Sequence, residues 1–496
     1  MSEKTTLFSE FQGVSKTEFQ NQILKDLKGK DYEETLFQKN FENLEIAPFY
    51  VQADLDTINH ARALPGNFPF VRGNKTKGNH WEIRQDFKVN EIKDANNKAL
   101  DALMKGVDSL GFEIEHRVLT QNFIAELLED ILLEHISLNF VSNNQSLSIL
   151  KEFINEVIKR KIDVNQVKGS VNFDPLGHLL LHGNWADDEE LAKQDAFNLV
   201  TLLNQHLPFY RGINISADHY HNAGASNTQE LAFSLSQANY YLENLTEKGL
   251  KIDDITSRIQ FTFATGSNYL MEIAKLRAFR MLWARLVEQY QPLHTCSMVT
   301  FVHAITSKWN QTIFDPHVNL LRATTETMSA AIGGADSILV TPFDAAYKTP
   351  DEFSERMARN NQIILAEEAY LNKVADPAGG SYYLENLTDS MAEAAWKLFQ
   401  QIEQKGGFVD ALKQNFIQEE IDAVAKLKKQ AFENGKIVLV GTNKYPNLKE
   451  ETTARFENDA NEISDKNTFI KPLKPFRLAF DLEKKRFEES KIHEAK

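Results

Sequence analysis

The sequence predicts a (β/α)8 TIM barrel with an N-terminal helical arm and a C-terminal helical or extended tail. Two observations carry that expectation. Short apolar or alternating runs at 81–87, 107–114, 136–141, 170–175, 212–218, 259–265, 298–304 and 337–343 have the length and pattern of strands. Helix-like segments separate them, and eight regular units over about 260 residues match the count and span of a closed barrel. The same alternation also allows a doubly wound sheet, though eight regular units favour closure.

Taken in order, Phe19, Ile23 and Leu27 lie on one face of a short helix that ends at Lys28-Gly29-Lys30. That face packs either on its own domain or on a partner. Residues 1–47 read as an arm, 48–445 as the barrel and 446–496 as a charged tail or linker. Helices are expected at 123–133, 144–159, 191–203, 270–287 and 318–332, the last stopped by Gly333-Gly334. The segment 211–245 forms the most informative unit. A strand leads into the polar turn His219-Tyr220-His221-Asn222-Ala223-Gly224. A helix follows, with Ser226 and Gln229 spaced as a capping box. Such units place functional side chains where the strand ends, and His219 stands there. Beyond 343 come a helix near 354–371, the turn Asp376-Pro377-Ala378-Gly379-Gly380-Ser381, further helices to about 434 and a strand-like run at 436–441.

Composition narrows the class. The chain has 496 residues, 42% hydrophobic and 25% charged, as expected of a globular protein. A formal charge of −15 argues against nucleic-acid or anionic-membrane surfaces. The single cysteine, Cys296, excludes an intrachain disulfide and a cysteine-cluster metal site. No run approaches a membrane span, and MSEKTTLFSEF lacks a signal-peptide core, so a cytoplasmic location is expected.

No Walker loop, dinucleotide fingerprint, HExxH, GxSxG or zinc-spaced set is present. His219 and His221 would share a face in a strand and could ligate a metal. With no third ligand at motif spacing, they read better as hydrogen-bonding histidines. His219 is also a chemically reasonable general acid, against the plainer reading of a satisfied polar histidine. Asp315-Pro316-His317, Glu367-Glu368 and the Asp376 turn read as caps and turns. Arg72 and Arg84 suit either phosphate binding or strand capping.

Several stretches together resemble the methylmalonyl-CoA mutase family, the coenzyme-B12-dependent acyl-CoA mutases. They are Leu64-Pro65-Gly66, Phe68-Pro69-Phe70-Val71-Arg72-Gly73, Trp81-Glu82-Ile83-Arg84-Gln85, Ile215-Ser216 with His219 and Ala223-Gly224-Ala225, Met271 to Arg277, Asp315-Pro316 with Asn319 and Arg322, and Asp376-Pro377 with Gly379-Gly380-Ser381-Tyr382. They occur in the family's order and span most of the chain. The resemblance implies a barrel whose axis holds the pantetheine arm of an acyl-CoA, with adenosylcobalamin on the C-terminal face, held there by a flavodoxin-like domain.

The departures imply which kind of member this is. Active chains carry a tyrosine before the Trp-x-Ile-Arg-Gln strand, and Thr76 occupies that place here. The long Arg- and Gly-rich loop after the second strand is reduced to a direct passage from Gly111-Phe112-Glu113 into the next helix. Asp174-Pro175-Leu176-Gly177-His178 stands where the substrate-carboxylate arginine is expected. Ile305 replaces a glutamine, and Ala378 a tryptophan. The Asp-x-His-x-x-Gly cobalt-ligand signature is missing, and Asp315-Pro316-His317 lacks its glycine, so the cobalamin domain is expected to be absent.

The resemblance therefore implies a small, non-catalytic subunit paired with a large catalytic chain as a heterodimer. Adenosylcobalamin would sit on that large subunit, with none tightly bound to this chain. No catalytic residue is expected; His219 is the one retained family position, and Arg72, Arg84 and His303 are vestigial substrate-binding candidates. Two other functions stay open. One is a catalytic mutase chain using a separate cobalamin-binding subunit, and the other is a free-standing acyl-CoA-binding barrel.

Overall fold

The computed structural model describes residues 13–114, 122–142, 144–450 and 468–494. Eight parallel strands close into one barrel: β1 (Glu82–Lys88), β2 (Ser109–Ile114), β3 (Ser137–Ser142), β4 (Lys168–Phe173), β5 (Tyr210–Ser216), β6 (Ile259–Thr265), β7 (Phe301–Thr306) and β8 (Ser337–Leu339). The short β8 closes the ring, with Ser337 opposite His303 on one side and Glu82 on the other. Among the helices are α1 (Lys16–Asp26), α2 (Ile92–Met104), α3 (Phe123–Leu127), α4 (Ser146–Arg160), α5 (Pro175–His182), α6 (Glu189–His206) and α7 (Asp218–Asn222). They continue with α8 (Asn227–Glu247), α9 (Tyr269–Gln289), α10 (Val318–Ile332), α11 (Glu352–Glu367), α12 (Tyr382–Gln404), α13 (Phe416–Glu433) and α14 (Phe480–Glu494).

Alternation along each strand separates two environments. Leu110, Phe112, Leu138, Phe140, Val171, Ile213, Phe261 and Phe263 are buried in the apolar core beneath the helices. Phe87, Phe112, Phe140, Phe153 and Tyr210 form a column with successive ring centroids 6.3, 6.5, 5.3 and 5.3 Å apart.

The opposite faces are polar. Glu82 accepts from Ser109 Oγ at 3.1 Å and from Ser137 Oγ at 2.6 Å. Asn139 donates to Ser109 Oγ and accepts from Ser170 Oγ. Gln260 Nε2 lies within 3.0–3.2 Å of Ser170 Oγ, Asn172 Oδ1 and Asn214 Oδ1. The Arg211 guanidinium lies 3.4 Å over the Phe301 ring. Links between β1 and β3, β4 and β6, and β5 and β7 each skip a strand, so they join next-but-one strands inside the ring. Ser170 is 0% exposed, Gln260 1% and Arg84 4%, so the axis is filled with side chains. Gly111 permits part of this closure, because a Cβ there would stand 1.9 Å from Asp86 Oδ1.

Several sequence expectations shift. The strand expected at 170–175 ends at Phe173, because Pro175 opens α5 with Asp174 as its N-cap. The run at 298–304 begins as a 3-10 turn, Thr295–Met298, and its strand starts at Phe301. The helix expected at 123–133 stops at Leu127, where Leu128 leaves helical geometry. The run at 436–441 is no strand. Gly435 and Gly441 take positive φ, and Asn443 accepts from the Leu439 N–H, leaving a turn with one isolated bridge. The contraction after Glu113 falls on residues 115–121, outside the described residues.

The ends attach differently. Helix α1 opens with a Ser15–Glu18 capping box and buries none of its residues. Phe19 stays 48% exposed, its ring set edge-on to Phe49. Further along, Glu42 accepts from the Asn227 and Thr228 N–H groups and so caps α8. Residues 468–479 form an extended strap. Its Ile470, Leu473, Phe476 and Leu478 N–H groups donate to the carbonyls of Gly183, Leu180, Asn222 and Trp309. Those acceptors follow β4, β5 and β7, so the strap crosses the C-terminal face.

Gln260→Leu removes the donor shared by Ser170, Asn172 and Asn214 and leaves the part-buried Arg211 Nε without its acceptor. It is expected to destabilise the chain by about 2 kcal/mol in chemical denaturation. A loss no larger than that of an exposed Gln194→Leu control would show that the axis network contributes little.

Candidate functional site at the C-terminal face of the barrel

β5 ends at Ser216, and Ala217 turns the chain into α7, which presents its two histidines differently. On a helix two positions apart they face different neighbours, which removes the shared metal face the strand reading allowed. His219 is partly exposed, with Nδ1 3.7 Å from Asp218 Oδ2. Near it, Asp174 Oδ1 accepts from Gly177 N–H at 2.8 Å and Gln237 Nε2 at 3.2 Å. Burial raises the Asp174 carboxyl above its usual range, partly offset by His219 and Ser216. His178 and His182 stack with centroids 4.2 Å apart. Burial, followed by its neighbour His182, pushes His178 down to about 4, and burial with His219 lowers His182. Among the described residues no cluster of three or more His, Cys, Asp or Glu is set to hold a metal.

His221 belongs to a buried relay that sequence reading missed. Its Nδ1 lies 2.8 Å from Glu230 Oε1, and its Nε2 lies 2.8 Å from Ser307 Oγ. A carboxylate only accepts, so Nδ1 carries the proton there. Lys275 Nζ lies 2.8 Å from Glu230 and 2.6 Å from Glu272 and donates to Ala264 O. Burial opposes both charges, but they outweigh it mutually. Lys275 is held above its ordinary pKa, and Glu230 below. The available signal was Glu272 and Lys275 set three apart among Met271, Ile273, Ala274 and Leu276 of α9.

The other candidates are engaged elsewhere. Arg84, on the barrel axis, makes a bidentate pair with Asp86 at 2.6 and 2.9 Å. His303 Nδ1 lies 3.1 Å from Ser337 Oγ, and burial, then Arg84, keeps its pKa well below the usual value. Arg72 lies outside the barrel, donating to Ala61 O and Glu385 in a cluster with Arg277 and Asp376. Neither arginine therefore stands as an open phosphate ligand. Thr76 is exposed in the loop before β1, beside Gly66, at the opposite end of the strands from His219. His317 stacks on Phe343 at 5.1 Å, and Glu368 is the C-cap of α11.

Behind this face Glu326 accepts from Asn310 Nδ2 at 2.7 Å, and burial raises its pKa to about 8. An acid whose pKa rises on folding contributes fully below its unfolded value, here 4.5, and loses that contribution as pH climbs toward about 8. Glu326→Gln is therefore expected to gain stability relative to the parent chain progressively across that window. Parallel denaturation profiles at pH 5 and pH 8 would contradict a protonated Glu326.

The methylmalonyl-CoA mutase family model matches residues 39–122 and 116–486. The Porphyromonas gingivalis methylmalonyl-CoA mutase small subunit is 41% identical over 97% of this chain and 78% of its own length. The Streptomyces virginiae methylmalonyl-CoA mutase small subunit is 32% identical over 87% of this chain and 69% of its own. The human mitochondrial methylmalonyl-CoA mutase is 31% identical over 92% of this chain and 64% of its own. Among the described residues no helix is long and apolar enough to cross a membrane. With a matching model over nearly the whole barrel and its flanks, and identities of this size, the chain belongs to the methylmalonyl-CoA mutase family.

Proposed function

We propose that this chain is the non-catalytic subunit of a cytoplasmic heterodimeric methylmalonyl-CoA mutase, stabilising a large catalytic chain that interconverts methylmalonyl-CoA and succinyl-CoA. The observation that carries this reading is the filled axis. A pantetheine arm needs a channel lined by small residues, and here the larger side chains Glu82, Arg84, Gln260, Arg211 and Phe301 lie on the inward faces. Opening it would break several buried hydrogen bonds at once, each costly to leave unmade.

The described residues also give adenosylcobalamin no fitted cradle. The strap is hydrogen-bonded across the C-terminal face, and His317, in the Asp-x-His spacing, is stacked on Phe343. No step is assigned to the cofactor on this chain. This reading assigns the cofactor to the partner. His219 retains a proton-donating group, while the stretch Asp174–His178 stands where the clamping arginine is expected, and its Asp174 caps α5. The Porphyromonas gingivalis and Streptomyces virginiae relatives named small subunits agree with this assignment.

Helix α1, with no buried residue, is the natural contributor to a partner interface. Deleting residues 1–30 is expected to weaken a one-to-one complex with the large subunit while leaving the circular dichroism melt unchanged. The isolated chain, given methylmalonyl-CoA, adenosylcobalamin and a separate cobalamin-binding domain, should form no succinyl-CoA. Turnover above the cofactor-only control would restore the catalytic reading, and failure to associate with any large subunit would remove the heterodimer.

A further inference from the structure

The C-terminal face carries a feature unused by this reading: a long groove between α13 and the strap, enclosing about 610 Å3. Its floor is apolar, formed by Ala223, Ile421, Ala425, Leu473 and Phe476. Lys426 and Lys429 stand on the helical wall, and Lys471 and Lys474 on the strap. Asp422 and Glu433 are the acidic residues of the lining, and Asp422 is paired with Lys471 at 2.6 Å. A second hollow of about 600 Å3 shares Lys429 and Glu433 and extends the groove past Leu482 and Lys485. A basic rim is unexpected on a chain whose formal charge is −15.

We propose that this groove docks an acidic amphipathic helix of another polypeptide, with its apolar stripe on the floor and its carboxylates on the lysine rim. Three features select that occupant. The helical wall from Gln418 to Glu433 runs about 22 Å at 1.5 Å per residue, the length of a partner helix rather than of one anion. An added strand is disfavoured. Pro472 and Pro475 have no N–H, and the Leu473 and Phe476 N–H groups already donate to Leu180 and Asn222. The lysines are spread in pairs along both walls, without the converging forks or backbone nest that grip a phosphate.

This goes beyond the subunit assignment and does not depend on it, because the probe is synthetic. A fluorescein-labelled, helix-forming peptide of about 18 residues, with leucines along one face flanked by glutamates, is titrated by anisotropy against the full chain. Binding is expected to weaken with salt and to fall roughly tenfold in Lys426→Glu/Lys429→Glu, whose unchanged melt would show intact folding. A lysine-flanked version of the peptide should bind less well to the parent chain and better to the double variant. Equal binding of both peptides, or indifference to the charge reversal, would overturn the proposal. So would displacement of the acidic peptide by adenosine 3′,5′-bisphosphate at stoichiometric levels, which would make the groove a small-anion site. Self-association of the parent chain that the same variant abolishes would overturn it too, in favour of a second copy.

Discussion

A closed ring of eight strands confines its inward side chains to one narrow column, and every polar group there has to find its partner within that column. This chain fills the column with Glu82, Arg84, Asp86, Asn139, Ser170, Arg211, Gln260 and His303, linked within a strand, between neighbouring strands and between next-but-one strands. The consequences run outward. Gly111 has to remain without a side chain so that Asp86 can turn toward Arg84. His303 stays neutral beside the Arg84 charge. The column is packed as core.

The rim carries a second set of buried charges. Glu230, Lys275, Glu272 and His221 tie α7, α8 and α9 together just behind the ends of β5 and β6. Such clusters tolerate removal of one member poorly, because the remaining charge stays buried and unpaired. Over them lie α13 and the strap. Lys428 donates to Ala225 O, and Gln229 donates to Glu420 O. A face that could have opened to a ligand is thus bound down by the chain's own later segments.

Much of the barrel was legible because its signals are local. The run 259–265 and the helix 318–332 coincide with β6 and α10, since both have uninterrupted patterns and clear ends. The misplaced boundaries lie where one residue decides the matter, as Pro175 does by opening a helix immediately after a strand. Lys436 to Gly441 misled because Ile437-Val438-Leu439-Val440 is an unbroken apolar run as in a buried strand, while the flanking glycines and the Asn443 side chain take its backbone into a turn. The site was less legible. Pairings such as Arg84 with Asp86 could be guessed from spacing, but Gln260 with Ser170, or His221 with Ser307, join residues about ninety positions apart. Only closure of the ring brings them together.

The filled axis is tested most directly by isothermal titration of the isolated chain with a CoA thioester such as propionyl-CoA, repeated with a Ser170→Ala/Gln260→Ala variant that removes two crossing side chains. With the axis closed, the parent chain should bind no thioester. Stoichiometric binding by the parent chain that a bulky Ser170→Trp substitution abolishes would place the acyl-CoA in the barrel and contradict a closed, non-catalytic core.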